Sequence, residues 1–190
     1  MFLASATDAE PVIEAAEEAG DLNVLLSIIE SLATHGGDPD ESEEAEEWET
    51  PTESALDAFY RLTKGGDASP PTSLSTLWNV LDSWKSSEAI VEVCLGCIVY
   101  ASISVEDTTD SNKIDTKLII TIMQQYKDEG TIQEQACLAI ENMASSSTLL
   151  KEKLACDEVK EELIAAKDRI SNERNKKYPG LAAAALDLEL

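Results

Sequence analysis

Between Thr131 and Ser145 the apolar or small residues are Ile132, Ala136, Ala139, Ile140 and Met143. Steps of three, four and seven residues put them on one face of a helix. Ala136 and Ala139 let a neighbouring helix come close, while Ile140 and Met143 fill the seam. The same period recurs along the chain. Leu22, Leu25, Leu26, Ile29 and Leu32 form one stripe. Ala55, Ala58, Phe59 and Leu62 form a second, and Leu74, Leu77, Trp78, Leu81 and Trp84 a third. Residues 88–104 are apolar almost all round, the mark of a helix buried on every side. Ile114, Leu118, Ile119, Ile122, Met123 and Tyr126 form another stripe. The pattern predicts helices over most of 11–35, 53–64, 73–85, 88–104, 114–129, 131–145 and 157–171. A shorter helix is expected at 148–155, and a helix-prone run at 181–190. Gly36-Gly37 and Gly65-Gly66 read as helix stops, and Gly20-Asp21 and Pro179-Gly180 as breaks. Residues 1–10 read as loose chain.

One stretch breaks the pattern. Asp38 to Glu53 holds nine acids in sixteen residues. Like charges at that density oppose compaction, so a flexible, solvated insertion is expected over 38–53. Trp48 stands out within it, either tacking the loop to the body or waiting for a partner. Thr50 and Ser69 each precede a proline and are candidate phosphorylation sites.

Charge sharpens the picture. The 190 residues carry a formal charge of −24, and residues 1–60 hold 17 acids and no Lys or Arg. Such a field repels phosphate backbones and anionic membranes and attracts basic proteins. Nucleic acid and membrane partners are therefore not expected, whereas a basic protein is. No apolar run approaches the roughly 18 residues needed to span a bilayer. The N-terminal residues lack a basic segment before a long apolar run, so a cytoplasmic or nuclear location is expected. Four cysteines in a chain of this length suit a reducing compartment rather than a disulfide framework.

The stripes also repeat at longer range. Ala55, Val93, Ala136 and Ala182 occupy similar places, at spacings of 38, 43 and 46 residues. With a helix before each, the unit is a helical pair of about 40 residues, the period of stacked α-helical arrays. The run Gln133-Glu134-Gln135-Ala136, Ala139-Ile140, Asn142-Met143-Ala144 resembles the third helix of an armadillo repeat. The likeness is good over 114–166, fair over 73–104 and weak over 22–64 and 181–190. Glu92-Val93-Cys94-Leu95-Gly96 is similar to part of the serum amyloid A-like protein family. The armadillo resemblance implies an all-α, right-handed superhelix (an α-solenoid) of about four HEAT-like repeats in a single domain over 1–190. It also implies that the third-helix face binds an extended protein segment. Asn142 matches one rung of the asparagine ladder that holds such a segment. Leu138 stands where the importin-type groove has a tryptophan, and Arg61, Val99 and Leu188 stand at the other asparagine places.

Catalytic chemistry finds little purchase. His35 is the only histidine and lies beside Gly36-Gly37, so no histidine-based triad has a second candidate base. Cys94-Leu95-Gly96-Cys97 matches the CxxC spacing, but in mid-helix among apolar neighbours, where a thiol is held protonated. Cys137 and Cys156 would have to converge on that pair to make a zinc site. Small core residues explain these cysteines better. The expectation is a non-enzymatic interaction scaffold with no cofactor. Its candidate partner-binding residues are Glu134, Gln135, Asn142, Tyr100 and Trp48, and self-association through 181–190 is a further possibility. The competing expectation is a thiol-based redox or zinc-binding protein that uses Cys94 and Cys97.

Overall fold

A computed structural model describes residues 5–36, 42–65, 74–104 and 111–189. Helix is the only regular structure among them, and none of these helices is long and apolar enough to cross a membrane. The chain divides into two compact units, Met1–Ala101 and Ser102–Leu190.

The first unit contains α1 (Ala6–Glu18), α2 (Leu22–Leu32), α3 (Glu43–Gly65), α4 (Leu74–Ser83) and α5 (Glu88–Ala101). Gly20 separates α1 from α2 at φ 65°, in the left-handed region that glycine enters at little cost. Asp21 then caps α2, accepting from the backbone N–H groups of Asn23 and Val24 at 3.1 Å. α2 packs on α4 and α3 packs on α5, so two helical pairs stack first helix to first and second to second. α1 covers α2 and α3. The stripes meet inside this stack. Leu25, Ile29, Leu32, Ala55, Phe59, Leu77, Leu81 and Trp84 have no solvent exposure. α5 is buried on most sides, as its all-round apolar character predicts.

The second unit repeats the scheme with α6 (Lys117–Gln125), α7 (Gly130–Ser146), α8 (Thr148–Leu154), α9 (Asp157–Arg169) and α10 (Tyr178–Ala185). Here α6 packs on α9 and α7 on α10, with the short α8 against α7. Ile132, Ala136, Ala139, Ile140 and Met143 are fully buried. Small residues on α7 and α10, Ala182 among them, allow close contact between these helices.

Three local expectations need correction. The N-terminal residues are helical from Ala6 rather than loose to residue 10. Pro179-Gly180 lies inside the first turn of α10 instead of breaking the chain. A proline is tolerated there because the first-turn N–H groups have no helical acceptor. The largest change concerns the acidic run. Residues 38–41 lie outside the described residues, but α3 begins at Glu43, ten residues before the expected start. Ser42 opens it, its side chain accepting from the Ala45 N–H at 3.3 Å. Glu43, Glu44 and Glu46 follow in the first turn, where negative charge favours the helix dipole. Ala45, Trp48, Pro51, Thr52, Ala55 and Phe59 turn inward at helical spacing, and Glu43, Glu46, Glu47 and Glu53 turn outward. Pro51 cannot donate to the carbonyl of Glu47, but Glu47 is exposed and water can take that place.

Candidate functional site

The residues singled out from the sequence fall on different units. Glu134, Gln135 and Asn142 lie on α7, all half-buried. Gln135, Leu138 and Asn142 follow one another by three and four residues down one side of the helix. Glu134 accepts a hydrogen bond from Asn175 Nδ2 at 2.7 Å. A neighbouring glutamine does more for the fold. Gln133 is fully buried, and its Nε2 donates to the carbonyls of Met123 and Tyr126, both at 2.9 Å. Both carbonyls lie at the C-terminal end of α6, where intrahelical donors run out. Arg169 Nη1 donates to Gln133 Oε1 at 3.2 Å, to the Met123 carbonyl at 3.3 Å and to Glu162 Oε2 at 2.8 Å. Gln124 completes the clasp by donating to Glu162 Oε1 at 2.9 Å. α6, α7 and α9 are thus joined by one polar network. Of this set only Gln133 belongs to the Gln133-Glu134-Gln135-Ala136 motif picked out in the sequence.

Tyr100 and Trp48 belong to the first unit. Tyr100 on α5 is half-buried and meets Tyr60 of α3 edge to face, with ring centroids 5.5 Å apart. Burial pushes the Tyr100 phenol up, and Tyr60 adds to the shift. Gly96 makes the seat for this pair, because a Cβ there would stand 3.1 Å from Tyr60 Cε2. Lys64 Nζ donates to the Tyr60 hydroxyl at 3.2 Å, a bond that raises the Lys64 pKa. Trp48 is only 5% exposed and stacks on the ring of His35 with centroids 4.1 Å apart. This stacking ties α3 to the turn that follows α2. His35 Nδ1 in turn meets Glu44 Oε1 at 3.1 Å.

The thiols divide sharply. Cys94, Cys97 and Cys137 are fully buried, and Cys156 is half-buried. Cys94 Sγ donates to the Leu77 carbonyl at 3.3 Å and Cys97 Sγ to the Leu56 carbonyl at 3.2 Å. Burial pushes both thiols well above their ordinary range and Cys137 up to about 12. A protonated, enclosed thiol is a weak nucleophile and a poor metal ligand. Among the described residues, no group of three or more His, Cys, Asp or Glu side chains is placed to hold a metal ion.

The surface charge of the first unit is little compensated. Residues 1–101 contain 21 acids and three bases. Arg61 is committed to Glu17, through Nε to Oε1 at 2.8 Å and Nη2 to Oε2 at 3.0 Å, and to Asp57. Lys85 pairs with Asp82 at 3.0 Å. Glu14, Glu18, Glu43, Glu46, Glu47 and Glu53 remain exposed on α1 and α3. A shallow cleft of about 320 Å³ opens between α2 and α4, lined by Glu30, Ala33, Thr34, Thr76, Asn79 and Ser83. Comparison with family models, with curated proteins and with solved structures returns no match.

Proposed function

We propose that the protein is a non-catalytic scaffold that holds a basic, extended protein segment. In this reading the like-on-like stacking of helical pairs continues through the chain as an armadillo-type right-handed superhelix. Glu134, Gln135, Asn142 and Tyr100 then contribute to the receiving surface. The observation that carries the reading is the concentration of exposed carboxylates on α1 and α3, with the few nearby bases already paired. A field of that sign raises the encounter rate of cationic segments and falls off as salt screens it.

Affinity capture from a source lysate provides the test, with the full chain as bait. Basic proteins should be retained at low salt and released as ionic strength rises. Retention indifferent to salt, or no basic protein among those retained, overturns the reading. A thiol titration of the folded chain addresses the redox alternative. Only Cys156 should react quickly, and fast modification of Cys94 or Cys97 would favour thiol chemistry.

A further inference from the structure

The cleft of the first unit lies on the first helices of the two pairs, away from the Tyr60–Tyr100 contact on the second helices. Glu30 of α2 forms one wall. Thr76, Asn79 and Ser83 follow one another by three and four residues along α4 and form the other. Ala33 and Thr34 come from the 3-10 turn Ala33–His35 that follows α2. The next residue, Gly36, presses directly on α4. A Cβ at Gly36 would lie 2.5 Å from Ser83 Cβ and 2.6 Å from the Ser83 carbonyl oxygen.

Among the described residues, the side chains of Glu30, Thr76, Asn79 and Ser83 have no partner. Thr34 Oγ1 donates to the Ser31 carbonyl at 2.7 Å, which leaves its oxygen able to accept. The cleft therefore gathers a carboxylate, three hydroxyl oxygens and an amide oxygen, with no cation in its lining. An apolar occupant would strand these groups, and an anion would meet Glu30. An ammonium offers three donors from one point. A guanidinium offers five in a planar fork and no acceptor, which suits a carboxylate flanked by spread hydroxyl and amide acceptors.

We propose that this cleft seats a guanidinium group, with Glu30 as its counter-ion and Thr76, Asn79 and Ser83 as acceptors. The natural source is an arginine of the basic segment proposed above, and to that extent the assignment rests on that reading. It adds a contact on α2 and α4 to those proposed on the second helices.

The experiment follows backbone amide shifts of the full chain while N-acetyl-arginine methylamide is added, with the citrulline analogue as the uncharged control of equal shape. Saturable shifts confined to residues 30–36 and 76–83 are expected, with weaker binding of citrulline. Glu30→Gln should weaken the arginine probe by about two- to fivefold, the range of a solvent-exposed ion pair. Asn79→Leu should weaken it without removing charge, and the same spectra report whether each variant is folded. Shifts spread evenly over α1 and α3, or equal affinity in Glu30→Gln, would overturn the assignment. A second titration uses an arginine-rich peptide. Peptide binding that leaves the cleft residues unshifted sinks this site but not the scaffold. Probe binding at the cleft with no peptide retained upholds the site and sinks the scaffold.

Discussion

The two units reach the same like-on-like stacking by different means. In the first, apolar stripes do almost all of the joining, and 21 acids face three bases. In the second, 17 acids face 11 bases, and a polar clasp crosses the core from Gln133 to Arg169 and Glu162. A second polar tie holds α8 to the chain entering α6. Lys153 Nζ donates to the carbonyls of Ser111, Asn112 and Ile114 at 3.0–3.2 Å. The lesson concerns where charge is put to use. In the second unit two charged groups, Glu162 and Arg169, are drawn inward, partnered and structural, while most others stay exposed. In the first, charged groups are outside and available. An apolar seam leaves the outer surface free to carry a one-signed field, whereas a polar clasp uses its charges up.

Breaking the clasp should give the largest effect. Arg169→Ala leaves Glu162, which is 9% exposed, without its cation, and frees the Met123 carbonyl from one of its donors. Loss of one partner of a buried pair costs about 3–5 kcal/mol. The Arg169 side chain is itself 22% exposed, so about 2–3 kcal/mol is expected, seen in chemical denaturation of the second unit. A loss below about 1 kcal/mol would mean that the clasp is incidental.

The first unit should fail by crowding instead. In Gly36→Ala the new methyl meets Ser83 backbone atoms, which cannot swing aside as a side-chain tip would. Overpacking of this kind costs about 1–3 kcal/mol. The same substitution at Gly65, which has nothing within 4 Å of its would-be Cβ, is the control. It should be tolerated, and equal losses at both sites would show that contact with α4 is not the cause.

Alkaline titration should separate the units more gently. Burial raises the folded-state pKa of Cys94 and Cys97 in the first unit and of Cys137 in the second. Unfolding frees these thiols to ionise near about 8.5. Their contribution to stability is therefore whole below that pH. It is lost as the pH climbs towards the folded value, about 12 for Cys137. With two such thiols against one, the first unit should lose more stability between pH 8 and pH 10. Equal slopes, followed by thermal melts at each pH, would contradict this.

How much of this could be read from the sequence differs by element. The stripe of 131–145 and the all-round apolar run at 88–104, whose α-helix ends at Ala101, are legible because their large residues keep helical spacing with little interruption. α3 is not, since Ala45, Trp48 and Thr52 keep the same spacing among six glutamates. Total charge masks the inward face there, although carboxylates on the outward face cost a helix little. Pro51 reinforces the wrong reading, because its missing donor faces a carbonyl that water can reach. Among site residues, Asn142 and Gln135 stand out by their motif. The clasp does not, because Gln133 and Arg169 are 36 residues apart and only folding joins them. The cleft is equally silent, since Thr76, Asn79 and Ser83 look like ordinary surface positions until α2 is laid beside them.

The burial of Trp48, Trp78 and Trp84 has a practical outcome. All three tryptophans fall in residues 1–101, while residues 102–190 offer only Tyr126 and Tyr178 as phenolic rings. Indole emission, excited at the long-wavelength edge where phenols do not absorb, therefore reports on one half of the molecule. Paired with a backbone signal such as far-ultraviolet circular dichroism, it becomes a built-in label. Any lag between the two melting traces would time the unravelling of one half against the other without attaching a dye.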